Sequence, residues 1–173
     1  MAEPGYVIIE GEKLGKFESD FTKDHKINEV KGGIPFLSFA SEVTAPRDVA
    51  TNQASGRRQF KAVVFTKQLD STSPMFWQAI TQNETLKKVE FRFFRITKTS
   101  QMELYYTVTL EKANLSSVKM IMATEAEGGQ DAKTSVGSGL YAAREEIAMH
   151  FEKITWDHKV AKKVHTDEWA TRI

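Results

Sequence analysis

Phe60-Lys61-Ala62-Val63-Val64-Phe65-Thr66-Lys67-Gln68-Leu69-Asp70, followed closely by Ser73-Pro74-Met75-Phe76-Trp77, is the stretch that decides the fold. Its first half is rich in β-branched and aromatic residues and leaves through a polar exit at Lys67 to Asp70, which reads as a strand leaving a sheet. Ser73 is placed to cap a helix, with Pro74 at the first helical position, where its missing N–H costs nothing. Phe76, Trp77 and Ile80 follow at helical spacing, so one face of a short helix is apolar and needs covering. The flank of a barrel supplies that cover.

Outward from this stretch the period of two dominates. Tyr6 to Glu10, closed by Gly11, reads as a first strand, and Ile34 to Val43 as a second with Pro35 near its start. Val89-Glu90-Phe91-Arg92-Phe93 alternates apolar and charged residues, and Tyr106, Val108 and Leu110 repeat the pattern with Thr107, Thr109 and Glu111 on the opposite face. Asn114 to Met122 continues as a further strand. Ile147, Met149 and Phe151 form an inward set that shifts to Ile154 and Trp156, which predicts a bulge near Lys153. The expected core is therefore Phe65, Leu69, Trp77, Phe91, Phe93, Tyr106, Val108, Leu110, Phe151 and Trp156.

Between these strands lie segments rich in turn-forming residues. Glu12 to Gly33 has weak periodicity, Thr44 to Gly56 is a long loop of small residues and Pro, and Ala126 to Gly139 is a Gly-rich loop. Lys159 to Ile173 reads as a tail beyond a single domain spanning 1–158. Many strands, one short helix and no alternation of strand with long helix give an all-β fold, a two-sheet β-barrel with one flanking helix.

The chain of 173 residues has a net charge of +1, which removes the simplest electrostatic argument for nucleic acid and leaves only local basic patches. It has no cysteine, hence no disulfide, thiol nucleophile or thiolate metal site. The opening residues show neither the basic nor the apolar part of an export signal, and no window is apolar enough for membrane insertion by a helix.

The search for chemistry yields no catalytic, metal or cofactor site. His25, His150, His158 and His165 form no metal-ligating cluster, and His158 and His165 fit a solvated tail. Gly137-Ser138-Gly139 with Ala142 matches a nucleotide-binding pattern only superficially, because it follows a polar loop instead of a strand. Asp20 and Asp24, like Glu145 and Glu146, read as solvated carboxylates. Arg57 and Arg58 are either ordinary surface arginines or polar contacts to a neighbouring subunit, where a planar guanidinium suits a carboxylate.

Several segments in order resemble the haemolysin-coregulated protein (Hcp) family, the tube-forming component of bacterial type VI secretion. They are Tyr6 to Gly11, Ile34 to Phe39, Ser55 to Arg58, Phe65 to Asp70 running on to Ser73-Pro74, Tyr106 to Glu111, and Phe151 to Trp156. The resemblance implies a barrel shared with phage tail tube proteins, assembled as a homohexameric ring whose stacked rings form a hollow tube. It implies a contractile sheath, a spike protein and small effector proteins as partners, and a subunit made in the cytoplasm and secreted without a cleaved signal peptide. On this reading Thr44, Ala45, Pro46, Arg47, Asp48, Asn52 and Ser55, with Arg57 and Arg58, belong to subunit interfaces. Thr107, Thr109 and Glu111 are candidates to line the lumen, although an ordinary solvent face fits them equally. A phage-type tail tube protein and a small-molecule-binding barrel are the alternatives, and an enzyme is not expected.

Overall fold

The computed structural model describes residues 3–122 and 143–169. The expected loop at 126–139 and the pattern at 137–142 lie outside the described residues. The strands are β1 (Gly5–Gly11), β2 (Lys16–Phe17), β3 (Ile34–Phe36), β4 (Ser38–Ala40), β5 (Val43–Thr44), β6 (Gln59–Phe60), β7 (Val63–Gln68), β8 (Thr85–Ile96), β9 (Met102–Ile121), β10 (Arg144–His150), β11 (Lys153–His158) and β12 (Lys163–Glu168). One helix, α1 (Ser73–Thr81), connects β7 to β8.

All pairings are antiparallel, and the main sheet runs β2-β1-β8-β9-β10-β7-β4. Its two ends are bridged by one short segment. β3 pairs with β1 and β4 pairs with β7, with only Leu37 between them, and the Leu37 N–H donates to the Thr66 carbonyl. The expected single strand over Ile34 to Val43 is thus three short ones, because the chain changes neighbour at Leu37 and again before β5.

β9 is a single strand of 20 residues that joins the two expected over Tyr106 to Leu110 and Asn114 to Met122. It pairs with β8 along one edge, and with β10 and then β11 along the other. The expected bulge near Lys153 is a break between β10 and β11 at Phe151-Glu152. All three strands slip phase at this level: the buried set passes from Leu86 to Val89, from Ala113 to Leu110 and from Phe151 to Ile154. Lys112 lies at the slip with φ 50°, a left-handed conformation. The sheet creases along this line, and Lys87, Lys88, Lys112 and Glu152 collect on its outer side while the inner side stays apolar.

The core contains Val7, Ile9, Phe65, Phe76, Phe91, Val108, Leu110, Ile147, Met149, Phe151 and Ile154, with Phe93, Tyr106 and Trp156 partly buried against it. Phe91 meets Phe36, Phe39 and Phe65 in tilted or edge-to-face contacts between 4.7 and 5.8 Å, the offset geometries that ring quadrupoles favour. Two expected core residues lie elsewhere. Leu69 is only half-buried, beyond the end of β7. Trp77 is 40% exposed, because the buried stripe of α1 runs through Ser73, Phe76 and Ala79 and leaves Trp77 at its margin. The cap position also shifts: Thr72 precedes the first helical residue, and the Ser73 hydroxyl turns back toward Lys67 and Asp70.

Two segments with weak strand signals in the sequence are built into the sheet. Glu12 to Gly33 contributes β2 and a run of turns anchored to the start of α1: the Ser19 hydroxyl donates to Asp70, and Asp20 and Ser71 exchange hydrogen bonds. The backbone N–H of Ser71 holds the Asp20 carboxyl below its ordinary pKa, so this carboxylate is engaged and not merely solvated. At the other end, β12 pairs with β11 from Lys153–Glu168 to His158–Lys163. The expected tail is therefore an edge strand over these residues.

Candidate assembly surfaces

The chain between β4 and β7 is a hairpin arm. β5 and β6 form a two-stranded sheet of their own, paired through Val43–Phe60 and Thr44–Gln59 and with no strand of the main sheet. Farther out, Arg47 and Ala54 bridge, and the Ser55 N–H donates to the Pro46 carbonyl. At the tip the Asp48 carboxylate accepts from the N–H groups of Ala50 and Thr51 at 2.8 and 2.9 Å, which holds its pKa below the ordinary value. Asn52 takes φ 54°, a conformation that Asn tolerates well. The loop expected over Thr44 to Gly56 is thus an ordered projection, and Val49 at its tip is fully exposed.

Arg57 and Arg58 lie on the return side of the arm and behave differently. Arg57 is exposed. Arg58 grips Asp167 with two guanidinium nitrogens, and its Nη2 also donates to the Glu168 carbonyl at 3.4 Å. The carboxylate that fits this fork belongs to the same chain. Next to it Phe60 packs against Phe151, Trp156 and Trp169 at ring distances of 5.3, 6.3 and 5.7 Å.

Register brings a polar face together on β1, β8, β9, β11 and β12. Glu10, Lys88, Glu111, Lys153 and Glu168 lie side by side across these strands in alternating sign. Lys153 reaches Glu111 at 3.0 Å and Glu168 at 3.7 Å, and these acids raise its pKa, the Glu111 hydrogen bond most. The next row runs Ile8, Glu90, Thr109, Thr155 and Thr166, with the hydroxyls of Thr155 and Thr166 3.1 Å apart. A third row sets Thr107 between Arg92 and Asp157. Of the three lumen candidates, Thr109 and Glu111 reach solvent, whereas Thr107 is buried because longer neighbours flank its short side chain.

Behind α1 lies a cluster of buried charge. Lys67 Nζ is within 3.0 Å of Asp70 Oδ1, Glu145 Oε2 and the Ser73 hydroxyl, and it donates to the Gln68 carbonyl at 2.9 Å. Both ion pairs are sealed from solvent. The Trp77 indole N–H donates to the other Glu145 oxygen at 3.2 Å. The polar exit expected at Lys67 is thus inward-facing, and Glu145, expected to be solvated, is its partner.

A sequence profile described as "Type VI secretion system effector, Hcp" matches residues 16–158. The chain belongs to the Hcp family. Among its Hcp relatives is the "Major exported protein" of Pseudomonas aeruginosa, 33% identical over 178 residues that cover all of this chain and 99% of that protein. A solved structure described as "Crystal structure of Hcp protein" has a TM-score of 0.80 at 25% identity, covering 97% of this chain and 100% of its own. "Secreted protein Hcp3 from Pseudomonas aeruginosa" has a TM-score of 0.73 at 29% identity, covering 97% and 99%.

The buried ion cluster of this Hcp fold escaped the sequence reading, yet a signal for it exists. Lys67 is in phase with Val63 and Phe65, and Glu145 with Ile147 and Met149, so the period of two places both on the core side. Opposite charges at in-phase positions of two strands are the mark of a buried pair.

Proposed function

We propose that this chain is the structural subunit of a type VI secretion inner tube, in which copies close into a six-membered ring and rings stack into a hollow conduit. The tube carries small effectors, lies within a contractile sheath, and leaves the cytoplasm with the spike. The observation that carries this reading is the division of the barrel wall. Its inner side is filled by the core, and its outer side presents aligned rows of alternating charge and threonine over β1, β8, β9, β11 and β12.

Rows of alternating sign neutralise one another locally, leaving a wet wall without a strong field of either sign. Such a wall lets cargo pass without capture. The arm that stands off the barrel at 43–60 supplies what a heterologous contact needs, a projection that can reach a different surface on the next copy.

Sedimentation velocity with negative-stain microscopy tests the proposal. The expected result is rings of six copies for the parent, and a folded single chain when residues 45–55 are replaced by a two-residue turn. A parent that stays monomeric at every concentration rejects the tube. Rings that persist without the arm reject the arm as the contact.

A further inference from the structure

Among the described residues the arm has no strand pairing to the barrel, and a two-stranded hairpin is only marginally stable by itself. Its direction must therefore be set at its root. The outgoing strand does little, since Val43 and Thr44 are both exposed, and the ion pair between Glu42 and Lys61 is solvated. The return strand carries the fixings, and all of them engage the last part of the chain or what it packs on. Arg58 grips Asp167 and the Glu168 carbonyl, Phe60 lies against Trp169 and Trp156, and the Trp169 N–H ties back to the Glu152 carbonyl at 2.8 Å.

We propose that Asp167 on β12 is a positioning residue that, through Arg58, sets the direction in which the 43–60 arm leaves the barrel. Arg58 lies at the root of the arm's return side, one residue before β6, and Asp167 is held in register opposite Ile154, whose side chain is fully buried. The guanidinium plane thus transmits the orientation of the core sheet to the arm. A forked contact fixes an angle as well as a distance, which a lysine at position 58 would not do. The arm extends about 20 Å from its root, at about 3.3 Å per residue. A tilt of about 10° at the root therefore displaces Val49 by about 3 to 4 Å, enough to misplace a docking contact. The consequence for assembly rests on the tube reading above, whereas the positioning itself does not.

The absence of cysteine makes the test direct. A single Val49→Cys change takes one fluorophore at the tip, and nanosecond anisotropy decay is read at concentrations where sedimentation shows single chains. Asp167→Ala and the milder Asp167→Asn are expected to at least double the amplitude of the fast decay with the thermal midpoint nearly unchanged. The exchanged pair Arg58→Asp with Asp167→Arg is expected to restore it. An unchanged fast amplitude in both Asp167 variants overturns the proposal, as does a gain that the exchange leaves in place. At ring-forming concentrations without the label, Asp167→Ala is expected to lower the ring fraction at least fivefold. Rings that persist although the tip is loosened count against the arm as assembly contact and leave the positioning role standing.

Discussion

Lys67 and Glu145 face each other across β7 and β10, joined by an ion pair of 3.0 Å although neither side chain touches solvent. Asp70 accepts from the same ammonium, so one buried cation serves two buried carboxylates. Every buried polar side-chain atom among the described residues has a hydrogen-bond partner. Removing one partner of such a pair strands a charge in a medium that solvates it poorly, and this typically costs about 3 to 5 kcal/mol. Lys67→Met, which leaves two carboxylates facing each other, is expected to fall in that range by urea denaturation, and Glu145→Ala, which leaves Lys67 paired with Asp70, at its lower end or below. A loss below about 1 kcal/mol for both would show that water reaches the cluster.

Trp77 connects this cluster to the surface. Its indole N–H bonds to Glu145 while part of the ring is in solvent, so its truncation should cost less than the range of about 3 to 5 kcal/mol typical of a fully buried aromatic. Trp77→Ala is expected to cost about 2 kcal/mol, and Trp77→Phe about 1.5, the usual worth of a hydrogen bond to a charged acceptor. In the Glu145→Ala background the Phe change should be nearly neutral. An undiminished cost there would mean that ring packing, and not the indole N–H, is what Phe fails to replace.

The same residues show what was legible in the chain. Alternation in 89–93 and 106–110 placed Val89, Phe91, Val108 and Leu110 on the core side, because a half-buried strand reports its faces through a period of two. The family resemblance rested on short local patterns, and the strands carry those patterns. Trp77 was misplaced because three apolar residues at helical spacing fix a stripe but not its margin, and the neighbouring sheet covers the Phe76 and Ala79 side. Arg58 was illegible for a different reason. Its partner lies 109 residues away, and no local pattern names a carboxylate that only the folded chain brings close. The arm at 44–56 was legible as a long loop, but its shape comes from the Asp48 turn and the Arg47–Ala54 bridge, which only folding reveals.

Glu90 gives a pH-dependent prediction on the polar face. Burial pushes its pKa up, but hydrogen bonds from Arg92 and Lys88 outweigh burial and leave it below the ordinary value of 4.5. A carboxyl whose folded pKa is depressed stabilises the fold fully above its unfolded value, and that stability is lost as pH falls through the folded one. The parent is therefore expected to lose stability below about pH 4.5 more steeply than Glu90→Gln. Thermal melts between pH 7 and pH 3 read the difference, and parallel curves for the two proteins would contradict the assignment.

Gly5 opens β1 opposite Phe36 and Phe93, and the ring of Phe36 lies across its Cα. A Cβ at this position would stand 2.2 Å from one ring carbon and 2.4 Å from a second, far inside van der Waals contact. The ring has little room to yield, since Phe39, Phe91 and Phe93 enclose it at centroid distances of 6.2, 5.8 and 5.6 Å. Residues 34–36 also begin the segment that links β1 to β7, so a shift of Phe36 strains that link. Overpacking of this kind costs about 1 to 3 kcal/mol. Gly5→Ala is expected near the upper end, and adding Phe36→Leu, which removes the clashing ring, should cost less than the two single changes summed. Strict additivity in the double-mutant cycle would place the damage in the β1 backbone and not in the ring.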